Sequence, residues 1–227
     1  MKVENIVPIF QVENQHVEEF HRDGFLMVRQ LFDESEMKLL LEIAKSDLQM
    51  TSEARNKTDA DGRATLLTVR NELIPTQIYS AMVSCRRVVK TMERLLGDEV
   101  YHYHHKMMLK EPRVGGAWQW HQDYGNWLEK DGMPEPKAMN ISVFLDEVFP
   151  FNGPLMLIPK SHKHGVLDSN KDDATTSFPL YTQPEETVER LCEDGGLIAP
   201  TGKPGSMLIF NGNLVHGSSG NITPFPR

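Results

Sequence analysis

With 227 residues and ordinary hydrophobic and charged fractions, the chain is long enough to bury the core of one domain. Its net charge of −8, from 24 basic and 32 acidic residues, disfavours a phosphate backbone as partner, so no nucleic acid is expected. Cys85 and Cys192 support neither a disulfide framework nor a Cys-rich zinc site, and no apolar run suits a signal core or a membrane span; a cytoplasmic protein that binds no membrane is expected.

Residues 14–23 predict a short helix stopping near Gly24, and Phe25-Leu26-Met27-Val28 predicts a short buried strand. Asp33 and Glu36 have the spacing of a capping box, with Phe32 and Met37 placed as a hydrophobic staple. They open a helix over 34–49 whose apolar face is Met37, Leu40, Leu41, Ala44 and Leu48. Residues 51–64 are polar and without period, which predicts a loop. A second helical stretch covers 77–96 and stops at Gly97.

After Gly97 the character changes. Short apolar or alternating segments recur at 99–109, 117–121, 138–145, 155–158 and 206–210, separated by Gly, Pro and Asn. That rhythm predicts a jelly roll. The expected class is α+β with a mainly β core: one domain over 1–227, helix-rich in 1–97 and jelly roll in 98–227. Residues 160–200 break the rhythm and read as an insertion at the barrel mouth, with a short helix near 184–193. His162 and His164 within it read as solvated lid residues.

Chemistry concentrates in Trp120-His121-Gln122-Asp123 and Leu214-Val215-His216-Gly217. On a strand, positions i and i+2 share a face, so His121 and Asp123 can offer two ligands to one ion from one strand or its end. His216, from another strand, completes two imidazoles and a carboxylate. Such a set suits non-haem Fe(II) with open positions better than structural zinc. Taken singly, each of these residues reads as ordinary.

Those motifs, with Asn152-Gly153-Pro154-Leu155, Ile158-Pro159-Lys160-Ser161-His162, His216-Gly217-Ser218 and Pro226-Arg227, resemble the phytanoyl-CoA dioxygenase family. Gly195-Gly196-Leu197-Ile198-Ala199-Pro200-Thr201-Gly202 and Asn221-Ile222-Thr223-Pro224-Phe225-Pro226-Arg227 are similar to its ectoine hydroxylase branch. The resemblance runs from about residue 17 to 227. It implies a double-stranded β-helix core carrying Fe(II), with 2-oxoglutarate and O2 as cosubstrates. His121, Asp123 and His216 would hold the metal. Arg227 would pair with the distal carboxylate of 2-oxoglutarate, and Ser142 and Ser218 would line its site.

The implied reaction is hydroxylation of an aliphatic C–H bond with release of succinate and CO2. An aspartate at 123, where related halogenases carry a small residue, favours hydroxylation over halogenation. Trp127 matches a substrate-contacting position, whereas Trp118 and Trp120 read as core or rim aromatics. His104 and Met108 stand where ectoine hydroxylases carry glutamine and asparagine, and Asn126 where they carry threonine. These four residues, Trp127, Asn126, His104 and Met108, are the expected substrate contacts, and the departures argue against ectoine itself.

The expected substrate is a small polar or zwitterionic metabolite, amino-acid-, proline- or ectoine-like. An acyl-CoA thioester is the alternative. Rival classes are a non-catalytic metal-binding jelly roll and a metal-dependent hydrolase or isomerase on a cupin-like barrel. A monomer or homodimer is expected. A jelly roll of this family carries another strand after the arginine, so the chain either is truncated at Arg227 or closes its barrel differently.

Overall fold

The computed structural model describes residues 10–46, 55–58, 64–113 and 116–227. Helix α1 (Asn14–Asp23) ends at Gly24, whose φ of 86° is left-handed backbone that disfavours any Cβ. Strand β1 (Phe25–Val28) follows at once. The capping box opens α2 (Glu34–Ser46): Glu36 N–H donates to Asp33 Oδ1 at 2.8 Å, and Asp33 N–H to Glu36 Oε2 at 2.9 Å. Phe32 and Met37 are buried beneath it. Leu48, expected on the same face, lies outside the described residues.

Two expectations fail in the next stretch. Within the predicted loop, β2 (Arg55–Thr58) pairs antiparallel with β3 (Ala64–Arg70). Arg-Asn-Lys-Thr has no apolar alternation, so its strand state comes from the partner's ladder rather than its own pattern. The helix predicted over 77–96 is two helices, α3 (Ile78–Val83) and α4 (Arg86–Leu96). Between them Cys85 is extended, with φ −65° and ψ 145°, and caps α4. Helices therefore do not all precede strands.

The remainder runs β4 (His105–Leu109), β5 (Trp118–His121), α5 (Asp123–Asp131), β6 (Met139–Val143), β7 (Leu155–Leu157), a 3-10 turn (Ser161–His164), β8 (Asn170–Asp172), β9 (Leu180–Thr182), α6 (Glu185–Gly195), β10 (Met207–Asn211) and β11 (His216–Ser218). Among the described residues these form three antiparallel sheets, ordered β1-β10-β6, β7-β11-β5-β9-β8 and β2-β3-β4. The segment read as an insertion supplies β8 and β9, which extend the second sheet beyond β5.

Strand alternation sorts the core into layers. Met207 and Ile209 of β10 join Phe20, Leu40, Val88, Met92 and Leu95 in the cluster beneath the N-terminal helices. Leu208 and Phe210, of opposite parity, join Leu157, Leu214 and Phe144 between the sheets. A third cluster, Ile158, Leu191 and Val215, lies beneath α6, with Trp120 against it. Burial on both faces explains why Met207-Leu208-Ile209-Phe210 is apolar without a break. His162 is not a solvated lid residue. It is half-buried and closes over the end of α1, where a Cβ on Gly24 would fall 2.4 Å from His162 Nδ1.

Candidate metal centre and cavity

His121 ends β5, Gln122 caps the next helix, and Asp123 is the first residue of α5. The two side chains converge at the end of the strand, across a strand-to-helix junction. His216 opens β11, the strand next to β5, and stands directly opposite His121 in the ladder. The third ligand thus comes from another strand, as expected, and is the cross-strand neighbour of the first.

Backbone carbonyls fix both imidazoles. His121 Nδ1–H donates to Gln119 O at 2.7 Å and His216 Nδ1–H to Leu214 O at 2.9 Å. Each Nε2 lone pair is thereby turned toward Asp123, with His121 Nε2 3.7 Å from Oδ1 and His216 Nε2 3.5 Å from Oδ2. The three ligand atoms lie within 4.8 Å of one another, and all three residues are buried.

Burial, with repulsion from His216, depresses the His121 pKa to about 3. Burial tends to raise that of Asp123, but Lys106, His216, His121 and His104 outweigh it and hold the carboxyl at about 2. Neutral imidazole and ionised carboxylate are the states that ligate a divalent metal. Pinned Nδ1 atoms and a converging donor set of two nitrogens and a carboxylate therefore fit a non-haem Fe(II).

The triad lines a cavity of about 830 Å³ whose walls include β4 and β6, two strands that no ladder joins among the described residues. Along the metal-facing side of β4 the chain places His104, Lys106, Met108 and Lys110. At about 3.4 Å per residue these span roughly 20 Å. At one end stand His104 and Trp127, edge-on with ring centroids 5.6 Å apart. In the middle, Lys106 Nζ is 4.0 Å from Asp123 Oδ1. At the other end Arg227 and Ser218 line the cavity, and the Arg227 backbone pairs with Lys110 in both directions. Met108 and Ser142 also line it.

One site expectation needs correction. Asn126 does not line the cavity; its amide donates to Gln122 O and Tyr181 O and accepts from Tyr181 N–H, so it latches α5 to β9. Trp118, one of the two aromatics read as core or rim, lines the cavity and packs on Phe178, with centroids 5.3 Å apart. Trp120 does pack in a core cluster, away from the metal residues.

Sequence reasoning missed Lys110, which is only 1% exposed. Its ammonium donates to Ser218 Oγ at 2.7 Å, to Ser219 O and to Gly153 O. Burial, with repulsion from Arg227, pushes its pKa down to about 6, while three acceptors complement the charged form. The available signal was parity. Lys110 continues the series 104, 106, 108 on the inward face of a strand otherwise closing on Met-Met-Leu.

The family model described as phytanoyl-CoA dioxygenase matches residues 20–227. The ectoine dioxygenase of Sphingopyxis alaskensis is 35% identical over 223 residues, which cover 92% of this chain and 71% of that protein. An L-proline trans-4-hydroxylase from Streptomyces griseoviridis is 35% identical over 157 residues, covering 65% of this chain and 59% of the relative. The crystal structure of EctD from S. alaskensis with 2-oxoglutarate and 5-hydroxyectoine matches at a TM-score of 0.76 and 32% identity, over 95% of this chain and 73% of that one. The same protein with bound Fe matches at a TM-score of 0.78.

Proposed function

Because this chain belongs to the phytanoyl-CoA dioxygenase family, we propose that its Fe(II)/2-oxoglutarate-dependent dioxygenase activity hydroxylates an aliphatic C–H bond of a small polar or zwitterionic metabolite. One observation carries the reading. A buried His-Asp-His triad lies midway along a single cavity, with a guanidinium and a hydroxyl at one end and an imidazole and an indole at the other.

His121, Asp123 and His216 would hold iron. With 2-oxoglutarate and O2 the metal supplies the oxidising chemistry, converting the cosubstrate to succinate and CO2 as the C–H bond is hydroxylated. The chain's own part is binding, orientation and exclusion of water. The Arg227 fork presents two donors to the distal carboxylate of 2-oxoglutarate, a geometry lysine cannot reproduce. Lys110 occupies a lone pair of Ser218 Oγ, so the Ser218 proton is free to turn toward the same carboxylate. Ser142 stands on the opposite wall. Phe210 packs on His216, with centroids 4.8 Å apart, and keeps water from that ligand.

At the other end, burial lowers the His104 pKa to about 4, so a neutral ring faces the substrate beside Trp127. A neutral donor and an aromatic face suit a compact amino acid, imino acid or ectoine-like zwitterion. The relatives are named for ectoine and L-proline, which are of that class. Cys85 and Cys192 are free, and among the described residues no helix is long and apolar enough to cross a membrane. Both facts support a cytoplasmic location.

The test is oxygen-dependent succinate release across free amino acids, cyclic imino acids and compatible solutes. Turnover with one of these, and none with acyl thioesters, is expected. Turnover with long acyl thioesters alone would overturn the substrate class. Failure of Fe(II) and 2-oxoglutarate to give a weak visible charge-transfer band without oxygen would favour a non-catalytic metal protein.

A further inference from the structure

We propose that Lys106 is a positioning residue that keeps Asp123 a one-oxygen ligand, a role that rests on the oxygenase reading above. The carboxylate faces its partners with both oxygens: Oδ1 is 3.7 Å from His121 Nε2 and Oδ2 is 3.5 Å from His216 Nε2. Nothing in the strand-to-helix junction selects one oxygen over two. The choice matters because an octahedral metal with three protein donors keeps three positions, and a second carboxylate oxygen would take one of them. A chelating cosubstrate and oxygen together need all three.

Lys106 reaches the carboxylate from outside the metal sheet. It sits on β4, whereas His121 and His216 sit on β5 and β11. Its ammonium lies 4.0 Å from Oδ1, on the cavity side. Among the described residues Lys106 is the ammonium within reach of the Asp123 carboxylate; the other groups beside it, His121 and His216, are the imidazoles that would share the metal. Lys106 therefore holds negative charge on Oδ1 and leaves Oδ2, beside His216, to the metal.

Packing does not explain this lysine. Its side chain is 33% exposed within the cavity, and a cation so close to a divalent-metal site opposes metal binding unless it serves another purpose. The backbone register fixes its direction: Lys106 pairs with Val69, and its neighbours His105 and Met107 face away from the metal, against Tyr79 and the helix-side core.

Lys106→Met removes the charge and keeps the length; Lys106→Arg keeps the charge. Three quantities separate the roles: Co(II) affinity of the metal-free protein, 2-oxoglutarate affinity of the Fe(II) protein, and nitric oxide affinity of the Fe(II)/2-oxoglutarate complex, read by EPR. Lys106→Met is expected to bind Co(II) about fivefold more tightly, because a nearby like charge is gone and a second oxygen is released. Its 2-oxoglutarate affinity should stay within about twofold, while nitric oxide affinity falls at least about tenfold because the last position is filled. Lys106→Arg should restore both.

Unchanged Co(II) and nitric oxide affinities in Lys106→Met would overturn the proposal. So would a parallel loss of metal, cosubstrate and melting temperature, which marks a structural lysine. Should the wild-type protein show no charge-transfer band with Fe(II) and 2-oxoglutarate, the oxygenase reading fails instead, and the Co(II) comparison still judges Lys106.

Discussion

Lys110 illustrates how one residue can trade stability for binding. A lysine that is 1% exposed beside a second buried cation is expensive to fold, and only three acceptors offset it. Its folded pKa, about 6, lies below that of the unfolded chain. Between those values the unfolded state binds the extra proton, so this group makes stability rise with pH from about 6 toward the ordinary lysine range. Lys110→Met is therefore expected to raise stability by about 1–3 kcal/mol near neutral pH, with the gain shrinking toward pH 10. Melting temperatures of both proteins across that range check it. The same substitution should weaken 2-oxoglutarate binding at least about tenfold while metal affinity holds, since Ser218 loses its orienting donor. A variant neither stabilised nor impaired would mean that the lysine is incidental. At this scale the sequence was partly legible. His121, Asp123 and His216 were legible as a combination, although each is ordinary alone, and Arg227 was singled out only because a resemblance lent it a partner. Lys110 was not found, because a single lysine at the end of an apolar strand looks like a strand terminus until the fold shows Ser218 behind the cavity wall.

Elements were legible where local chemistry alone decides them. The Asp33–Glu36 box and the glycine stops at 24 and 97 lie in single stretches of chain, and the structure reproduces them. Glu36 does more than cap: its carboxylate also takes the Arg87 guanidinium of α4, joining two helices over the outer face of the β10 sheet. Glu36→Ala should cost about 1–2 kcal/mol in urea unfolding, near the upper end for a cap because the Arg87 contact goes with it, and leave cosubstrate affinity unchanged. Elements decided by distant partners were not legible. Strand β2 has no pattern of its own, and Asn126 looked like a substrate contact because it stands beside Trp127, where ectoine hydroxylases carry a threonine. One step round a helix is about 100°, enough to turn Asn126 onto β9 instead. Asn126→Ala should lower stability by about 1–3 kcal/mol, through the buried Tyr181 groups left unpaired. Its effect on turnover should be no larger than the accompanying loss of folded protein, so a selective rise in substrate KM at full folding would return Asn126 to the site.

At the scale of the whole molecule, three sheets, with no ladder between them among the described residues, line one cavity. The triad belongs to β5, α5 and β11; Ser142 to the β10 sheet; Lys106 and the Lys110–Arg227 pairing to the sheet of β3 and β4. The net charge of −8 gives no hint of this interior, where Lys106 stands beside Asp123 and Lys110 beside Arg227. A divalent metal alone braces one sheet. A dianion that also bridges to Arg227 and Ser142 ties in the other two, so the two ligands should stabilise the fold by more than their separate effects. At about 100 times its Kd, one ligand that binds only the folded state adds about 2.7 kcal/mol. That corresponds to roughly 5–10 °C for a chain of this size. Thermal unfolding with Mn(II), with 2-oxoglutarate and with both is the measurement. 2-Oxoglutarate alone should shift the midpoint by little, because its metal-side donors have no partner, and the pair should exceed the sum of the single shifts. Purely additive shifts would mean that the two ligands occupy independent sites, and would separate Arg227 from the metal centre altogether.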